Sequence, residues 1–347
     1  MYVISEESYT VSFWYSEIIS GLRDSARKKH ITLKFISLTN EINECDNKCV
    51  ILIGSSVSFL QSMIEELNKK GLHPIILGNQ SNNSFLGNYS FVSSDISSSI
   101  KDIFSELKST DSTCLYAINP SSVSDISRIN AFERFGGRKE NVFFNEGSLE
   151  KCFDRFYKKH SLSGFDSVIA SNDYAALSLI RNLKEKGEDA HKISIYSYSN
   201  TVFSEFCNVN IKAVSTNYKA FGQSALSISE CINKTPDIIS LSAFVKSKLD
   251  TVNETKVPVS QVFDDKFYKD ESLLELMNLE RLLSELDKED KKIIKMLCDN
   301  KTEMEICEFL YLSQSAVKYR INRMKKLCGS KNRLEMCDLI SKYDIIL

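Results

Sequence analysis

The sequence predicts an α/β chain in which parallel sheets flanked by helices form a two-lobed domain and a small all-α domain follows it. Two patterns predict this division. Residues 1–253 alternate short apolar runs with amphipathic stretches, which is typical of parallel sheets covered by helices on both faces. Residues 287–347 contain only helical patterns. Because 253 residues exceed one typical core, the first region is expected to divide into two lobes.

Short apolar runs mark the predicted strands. Each is rich in Val, Ile, Leu, Phe or Tyr, and amphipathic stretches separate most of them. In Phe13–Lys29, for example, Ile18, Leu22 and Ala26 recur at helical spacing. The predicted strands are Tyr2–Ile4, Leu33–Ser37, Val50–Ile53, Ile75–Leu77, Cys114–Ile118, Val142–Phe144, Val168–Ser171 and Ile193–Tyr198.

Residues 254–286 form a predicted linker with a leucine-rich helix. Glu254–Lys269 contains Pro258 and has mixed polarity, as a connector does. Glu271–Leu286 has no Gly or Pro and is dense in strong helix formers. A leucine repeat of this length fits either a dimerising helix or a helix that packs on its own chain. The repeat at 3-4-3 spacing consists of Leu276, Leu279, Leu283 and Leu286.

Composition and charge exclude several classes of protein. The chain is 42% hydrophobic and 26% charged, with a net charge of −2, so a chain that is basic throughout is excluded. It has no run of about 18 apolar residues and no secretory signal pattern, so a cytoplasmic protein without a membrane contact is expected. The ten cysteines are scattered through apolar segments, which indicates reduced core thiols.

The sequence lacks the common catalytic and metal-binding motifs. The sequence contains no G-x-S-x-G, no Walker loop and no dinucleotide fingerprint, and its four histidines stand apart. Cys45 and Cys49 form the one close cysteine pair, but zinc usually needs four ligands. We therefore predict no enzyme activity, no catalytic residue, no cofactor and no metal.

The C-terminal region predicts a helix-turn-helix. Thr302 and Glu305 have the spacing of a capping box, which begins one short helix. Tyr311-Leu312 predicts a tight turn, and Ser313 caps a further helix that ends at about Leu327. Two short helices joined by a brief turn, the second with an exposed polar start, describe this DNA-binding motif.

Charge supports contact with double-stranded DNA. Ser313 to Arg333 contains seven positive residues and no Asp or Glu, the clustering that phosphate neutralisation requires. One such unit makes a small contact, so a homodimer that reads two half-sites is expected. The predicted DNA-binding residues are Gln314, Ser315, Lys318, Tyr319, Arg320, Asn322, Arg323, Lys326 and Arg333.

Residues 286–340 resemble the LuxR/GerE-type DNA-binding domain. The resemblance rests on Leu286-Asp-Lys-Glu, on Glu305-Ile306 and on Ser313-Gln-Ser-Ala-Val-Lys-Tyr-Arg, followed by Gly329-x-x-x-Arg333. In the family a Thr is usual at position 316, and its absence implies the loss of one phosphate contact. The departures from the family pattern are Asn300 for Gly, Ala316 for Thr, Arg320 for His and Cys328 for Leu.

Residues 1–250 resemble the sugar-binding periplasmic proteins and the core of lac-repressor-type regulators. The motifs, in order, are Phe13-Trp14-Tyr15 before Gly21, Asp95, Arg128-Ile-Asn-Ala-Phe132, Val168 to Asn172-Asp173, Ile195 to Ser199-Asn200, and Ala213-Val214 before Gly222. The resemblance implies two lobes that close on a small molecule by a hinge motion.

The same resemblance implies a ligand site. By position, Phe13 and Trp14 offer a stacking wall, and Asp95, Arg128, Asn172 and Ser199 offer polar contacts. Ser199 and Asn200 stand where the family has acidic residues that accept hydrogen bonds from sugar hydroxyls. The effector is therefore a sugar-like molecule or another metabolite.

Each candidate also has a structural alternative. Phe13 and Trp14 fit a core, Asn172 fits a helix cap and Arg128 fits a local ion pair. The sequence accordingly leaves three functions open. The first is a DNA-binding transcription regulator controlled by a small molecule. The second is a ligand-independent dimeric regulator with a degenerate sensor, and the third is an interaction scaffold that never touches DNA.

Overall fold

The computed structural model describes residues 1–7, 10, 13–42, 48–78, 85–235, 237–250 and 271–347, which form two six-stranded sheets and helices. None of these helices is long and apolar enough to cross a membrane. The strands are β1 (Tyr2–Ser5), β2 (Lys34–Ile36), β3 (Cys49–Ile53), β4 (His73–Leu77), β5 (Ser90–Ser94), β6 (Thr113–Ile118), β7 (Val142–Phe144), β8 (Ser167–Ala170), β9 (Ser194–Ser197), β10 (Ile211–Thr216), β11 (Ser242–Val245) and β12 (Ser247–Asp250). The helices are α1 (Phe13–Lys28), α2 (Val57–Lys69), α3 (Ile96–Glu106), α4 (Val123–Arg134), α5 (Leu149–Ser163), α6 (Asp173–Glu185), α7 (Phe203–Phe206), α8 (Tyr218–Lys234), α9 (Glu271–Glu285), α10 (Lys288–Cys298), α11 (Glu303–Leu310), α12 (Gln314–Cys328) and α13 (Arg333–Lys342).

The predicted strands are all confirmed, as β1 to β4 and β6 to β9. The apolar-run pattern missed β5, β10, β11 and β12. Strand β5 has the sequence SFVSS and is buried along its whole length, with Ser90 and Ser93 fully enclosed. Because its serines interrupt the apolar run, hydrophobicity alone does not reveal this strand.

The first sheet has the strand order β11-β5-β4-β3-β1-β2, and all its neighbouring pairs are parallel. Strand β3 is buried throughout. Its residues Val50 and Leu52 belong to one apolar cluster, whereas Ile51 and Ile53 belong to another. Successive side chains of a strand point to opposite faces, so these two clusters lie on the two sides of the sheet.

Helices α1 and α8 pack together on one face of this sheet at very short distance. A Cβ atom added to Gly222 would lie 2.3 Å from the backbone N of Leu22 and 2.4 Å from the backbone O of Ile18. A Cβ atom added to Gly21 would lie 2.0 Å from the backbone O of Lys219. The absence of both side chains therefore allows the two helix backbones to touch.

The second sheet has the strand order β12-β10-β9-β8-β6-β7. The pairs β6 with β7, β8 with β9, and β9 with β10 are parallel. Val168 and Ile169 of β8 are fully buried, as are Leu115 and Tyr116 of β6. Such continuously buried strands are typical of a parallel sheet with helices on both faces.

Contacts divide the described chain into two compact units. The first contains Met1–Glu146 and Val214–Leu249, and the second contains Gly147–Ala213 and residues 271–347. The second unit therefore joins β8, β9 and α6 with all the C-terminal helices. The predicted connector Glu254–Lys269 lies outside the described residues, and the domain boundaries at 253 and 286 stay a prediction.

The C-terminal helices begin where the sequence places their caps. The Thr302 hydroxyl accepts a hydrogen bond from Glu305 N at 3.3 Å, and the Glu305 carboxylate accepts one from Thr302 N at 2.7 Å. Helix α11 ends at Tyr311, which has a left-handed backbone with φ of 55°. Ser313 then caps α12. These contacts confirm the predicted capping box, tight turn and third helix.

The leucine repeat of α9 is buried within the chain. Leu276 and Leu279 are fully buried, Leu283 is nearly so, and Leu286, directly after α9, is half-buried. Helix α9 packs against α6, α12 and α13. Of the two arrangements that fit the repeat, the structure shows the one in which this helix packs on its own chain.

The nine described cysteines are free thiols, and most are buried. Burial raises the pKa of the Cys49 thiol to about 11, so this group stays protonated near neutral pH. This agrees with the expected reduced core thiols. Cys45, the other member of the predicted close pair, lies outside the described residues.

The approach of α1 to α8 gives a stability prediction. In an ordinary exposed helix a Gly to Ala change stabilises by roughly 1 kcal/mol. Gly222→Ala should instead lower the free energy of unfolding by roughly 1–3 kcal/mol, since the new methyl group would overlap backbone atoms of α1. Urea titration followed by circular dichroism measures the change. Ser227→Ala, at an exposed position of the same helix, is the control and should be close to neutral. A Gly222→Ala protein as stable as wild type would contradict the close packing.

Candidate functional site

A polar cluster lies where β1 and β3 end in the first unit. The Glu6 carboxylate follows β1 and accepts hydrogen bonds from Ser55 N at 3.0 Å and Ser56 N at 3.1 Å, and from the Ser56 hydroxyl. The Ser55 hydroxyl lies 3.5 Å from that of Ser122 and 3.4 Å from that of Ser124. In open α/β sheets, ligands bind at the carboxyl ends of the strands. The sequence analysis did not single out these residues, because isolated serines carry no motif.

Arg128 lies on α4 in the same unit, and it is buried. Its guanidinium donates to the Asp125 carboxylate, which also accepts from Asn119 N at 2.8 Å. Burial raises the pKa of Asp125, and the charge of Arg128 opposes that shift. The structural alternative of a local ion pair is therefore what the structure shows. A direct ligand contact by Arg128 stays a prediction.

Trp14 packs beside Tyr218, the first residue of α8. The ring centroids of Trp14 and Tyr218 are 6.5 Å apart, and Tyr218 also packs on Phe221. Burial raises the pKa of Tyr218, and the positive charge of Arg128 lowers it. Of the predicted ligand residues, Trp14 thus contacts a tyrosine that was not predicted from the sequence, and Arg128 influences that tyrosine through its charge. The position of Tyr218 directly after β10, at the capped start of a helix, was the available signal.

The structure gives no ligand role to two other predicted residues of this unit, Asp95 and Phe13. The Asp95 carboxylate accepts a hydrogen bond from Ser98 N at 3.0 Å and so caps α3. Helix α1 begins at Phe13, but the side chain of Phe13 lies outside the described residues.

In the second unit, Asn172 and Ser199 border the start of α6. Asn172 caps this helix by accepting from Ala175 N at 3.0 Å, as the structural alternative proposed. The next residue, Asp173, is fully buried and accepts from Thr201 N at 2.9 Å and from the hydroxyls of Ser197 and Thr201. Asp173 therefore ties the loop after β9, which carries the half-buried Ser199, to the start of α6.

The predicted DNA-binding residues form an exposed face on α12. At 100° per residue, six of them fall on one side of the helix, opposite the buried Val317, Ile321 and Met324. Arg333 is exposed at the start of α13. The exposed residues of this face are Gln314, Ser315, Lys318, Tyr319, Asn322 and Lys326.

Arg320 and Arg323 flank that face, and each contacts a carboxylate at the start of α10. Arg320 Nη1 donates to Asp287 Oδ2 at 2.6 Å and to Asp290 Oδ1 at 2.8 Å. Arg323 Nη2 also donates to Asp290, which is fully buried. These arginines hold α12 against the start of α10. The charge count could not separate them from the exposed cations, because it ignores which carboxylates lie nearby.

The capping carboxylates respond to these neighbours. Partial burial raises the pKa of Asp287, but hydrogen bonds from the Arg320 guanidinium and from backbone N–H groups lower it more, to about 2. Hydrogen bonds from the backbone of Thr302 and from Lys301 hold the pKa of Glu305 at about 2. Both groups are therefore ionised near neutral pH and favour the start of a helix, where the backbone carries positive partial charge.

Comparison with known proteins shows the fold. The chain is similar to a complex of the transcriptional regulator CelR with cellobiose (TM-score 0.56, 13% identity, 72% of this chain and 82% of that chain). It is also similar to a LacI family transcriptional regulator from Mycobacterium smegmatis (TM-score 0.56, 12% identity, 74% and 98%). A third likeness is to the LacI family regulator CCPA from Weissella paramesenteroides with bound sucrose (TM-score 0.53, 16% identity, 74% and 99%).

These likenesses confirm the predicted fold class, two parallel α/β sheets flanked by helices, and at such low identity they show the fold alone. No protein-family model matches the chain, and no curated protein sequence matches it.

The ion pair of Asp287 with Arg320 gives a pH prediction. The folded pKa of Asp287 lies below its ordinary value of 3.8, so its contribution to stability is complete above that value and is lost as pH falls towards 2. Arg320→Gln should return the pKa of Asp287 towards 3.8 and remove this part of the acid sensitivity. Carboxyl NMR titration measures the pKa. Lys326→Gln removes an exposed cation of the same helix and should leave it unchanged; equal shifts in both variants would show that general charge, rather than this contact, sets the value.

Proposed function

We propose that this chain is a transcription regulator that binds double-stranded DNA through α12. The observation that carries the proposal is the exposed face of this helix, which has cationic and amide side chains and no carboxylate, while its other face is packed. A major groove admits one helix, whose N-terminal side chains reach the base edges. Gln314, Ser315 and Lys318 occupy that part of α12.

The observed helix ends support a LuxR/GerE-type unit for this proposal. The capping box at Thr302, the turn at Tyr311 and the cap at Ser313 fall where the family motifs fall in the sequence. Of the predicted contacts, we assign base or phosphate contacts first to the six exposed residues of α12 and to Arg333. Arg320 and Arg323 position the helix through Asp290 and reach DNA only at the edge of that face.

We further propose that the active form is a homodimer reading two half-sites. The buried leucines of α9 are used within the chain, so the dimer contact is expected on another surface. An exposed face on one small domain supports specific binding only when two copies act together, since single modules bury little surface.

For the sensor, we propose that the first unit binds a polar small molecule. Trp14 and Tyr218 offer aromatic surface, and Ser122 and Ser124 offer hydroxyl groups, a combination typical of sites for sugar-like metabolites. The similar structures with cellobiose and sucrose support a sugar-like ligand. Ser199 and Asn200, in place of acidic residues, favour a ligand with fewer hydroxyl donors.

One observation favours the degenerate-sensor alternative. Groups that could bind a ligand already form hydrogen bonds inside the chain. The Arg128 guanidinium donates to Asp125, and the amides of Ser55 and Ser56 donate to the Glu6 carboxylate. A regulator that dimerises and binds DNA without a ligand fits this arrangement.

The DNA proposal predicts the effect of removing one cation. Lys318→Ala should weaken binding to a selected duplex by about 1–3 kcal/mol if the ammonium reads a base, or reduce the salt slope by about 1 if it meets a phosphate. Fluorescence anisotropy at several salt concentrations separates these cases. Lys295→Ala removes an exposed cation from α10 and should change neither quantity. If Lys318→Ala behaves like Lys295→Ala, α12 is not the recognition helix.

The sensor proposal predicts a linked optical and thermal response. Trp14 is the only tryptophan of the chain, so its emission reports on this place alone. A sugar that binds here should change that emission and raise the melting temperature, because it binds the native state preferentially. The measurement is a panel of mono- and disaccharides and other polar metabolites. Ser124→Ala should weaken the response, and Ser105→Ala, exposed on α3, should not. A rise in melting temperature with constant Trp14 emission would place the ligand elsewhere, and no response to any compound favours the degenerate sensor.

A further inference from the structure

Helix α6 is buried almost all round, which is unusual for a helix that flanks a sheet. Tyr174, Ser178 and Arg181 follow one another at the spacing of a single helix face. A polar stripe of this kind is normally solvated. Here Tyr174 is 1% exposed, Ser178 is fully buried and Arg181 is 5% exposed. This face of α6 is therefore an interface within the second unit.

The partner at the start of the stripe is α9. The Tyr174 hydroxyl donates a hydrogen bond to Glu280 Oε2 at 2.7 Å, and Glu280 is buried as well. A hydrogen bond to a buried carboxylate stabilises more than a neutral one, and a carboxylate left without its donor is costly. The contact therefore favours one position of α9 against α6.

The partner at the far end of the stripe is the C-terminal segment. Arg181 Nη1 lies 3.3 Å from the Tyr343 hydroxyl, which itself donates to Glu275 of α9 at 3.0 Å. Lys184 Nζ lies 2.9 Å from Asp344 Oδ1. These contacts join α6 both to α9 and to the C-terminal segment.

Main-chain bonds add a second attachment beside these side-chain contacts. Asn208 N donates to Asp344 O at 2.8 Å, and Ile346 N donates to Phe206 O at 2.7 Å. Lys291 Nζ of α10 lies 4.2 Å from the centre of the Phe206 ring. The segment at the end of α7 therefore holds the C-terminal helices by backbone hydrogen bonds and by a cation–π contact.

We propose that the Tyr174–Glu280 contact is a latch through which the start of α6, with the attached loop of Ser199, sets the position of the proposed recognition helix. Tyr174 is the second residue after the cap Asn172, and it follows Asp173, which holds the loop of Ser199. Glu280 lies on α9, which packs along α12. A displacement at the start of α6 reaches α12 through one side-chain pair and one helix.

The effect of the latch on DNA binding rests on the proposed function, but the latch itself does not. Hydrogen exchange of the full chain therefore tests the latch without DNA. Tyr174→Phe removes one hydroxyl and should speed exchange in α9 and in residues 343–346 on the order of tenfold, leaving the first unit unchanged. Tyr157→Phe is the matched control, because Tyr157 also bonds a glutamate, Glu188 at 3.4 Å, but at the surface. Exchange in α9 that stays at the wild-type rate, or a rise confined to α6, overturns the latch.

A second variant and a DNA arm complete the test. Glu280→Gln keeps the volume and an acceptor, and in a double-mutant cycle its effect should not add to that of Tyr174→Phe; additive effects overturn the contact. If Tyr174→Phe does not fold, faster α9 exchange in Glu280→Gln supports the latch and an unchanged rate contradicts it.

DNA binding tests the regulatory role. Where the wild-type protein binds DNA, Tyr174→Phe should change the affinity for DNA several-fold, and equal affinities refute the regulatory role. A wild-type protein that binds no duplex contradicts the proposed function alone, because exchange still decides the latch.

Discussion

The burial of a guanidinium and a tyrosine hydroxyl on α6 is the constraint on which the second unit depends. Arg181 and Tyr174 are removed from water, and a buried polar group without a partner destabilises the fold. Tyr174 donates to Glu280 of α9, and Arg181 donates to Asn182 of α6 itself and to Tyr343. The position of α9 follows from this requirement, and α12 packs against α9. The surface that faces DNA in our proposal is thus placed by polar contacts inside the second unit.

Much of the fold could be predicted from the sequence, because it depends on local signals. Apolar runs found the central strands, and the caps at Thr302 and Ser313 found the helix starts, since both patterns involve residues close together in the chain. Strand β5 was missed because burial of its serines depends on what covers them. The leucine repeat of α9 gave a helix but not its partner, since the same apolar face suits a second chain or its own.

The candidate site was predicted less completely for the same reason. The exposed face of α12 follows from helical spacing, which the sequence contains. The engagement of Arg320 and Arg323 by Asp290 needs a contact between helices that are far apart in sequence. Tyr218, Glu6 and the serines around Ser124 carry no motif, and only the fold shows that Tyr218 packs beside Trp14 and that Glu6 and these serines cluster at the strand ends. The type of function therefore follows from patterns in the sequence, whereas the residues around the proposed ligand follow only from the fold.

The central claim is that the full chain reads DNA through α12, and selection of duplexes from a random pool tests it most directly. The account predicts enrichment of sites with two related half-sites whose centres lie about 10 base pairs apart or a multiple of that, as two symmetric recognition helices require. Bound duplex should also protect the amides of α12 from hydrogen exchange. A pool that shows no enriched sequence, or protection that spares α12 altogether, would contradict the account.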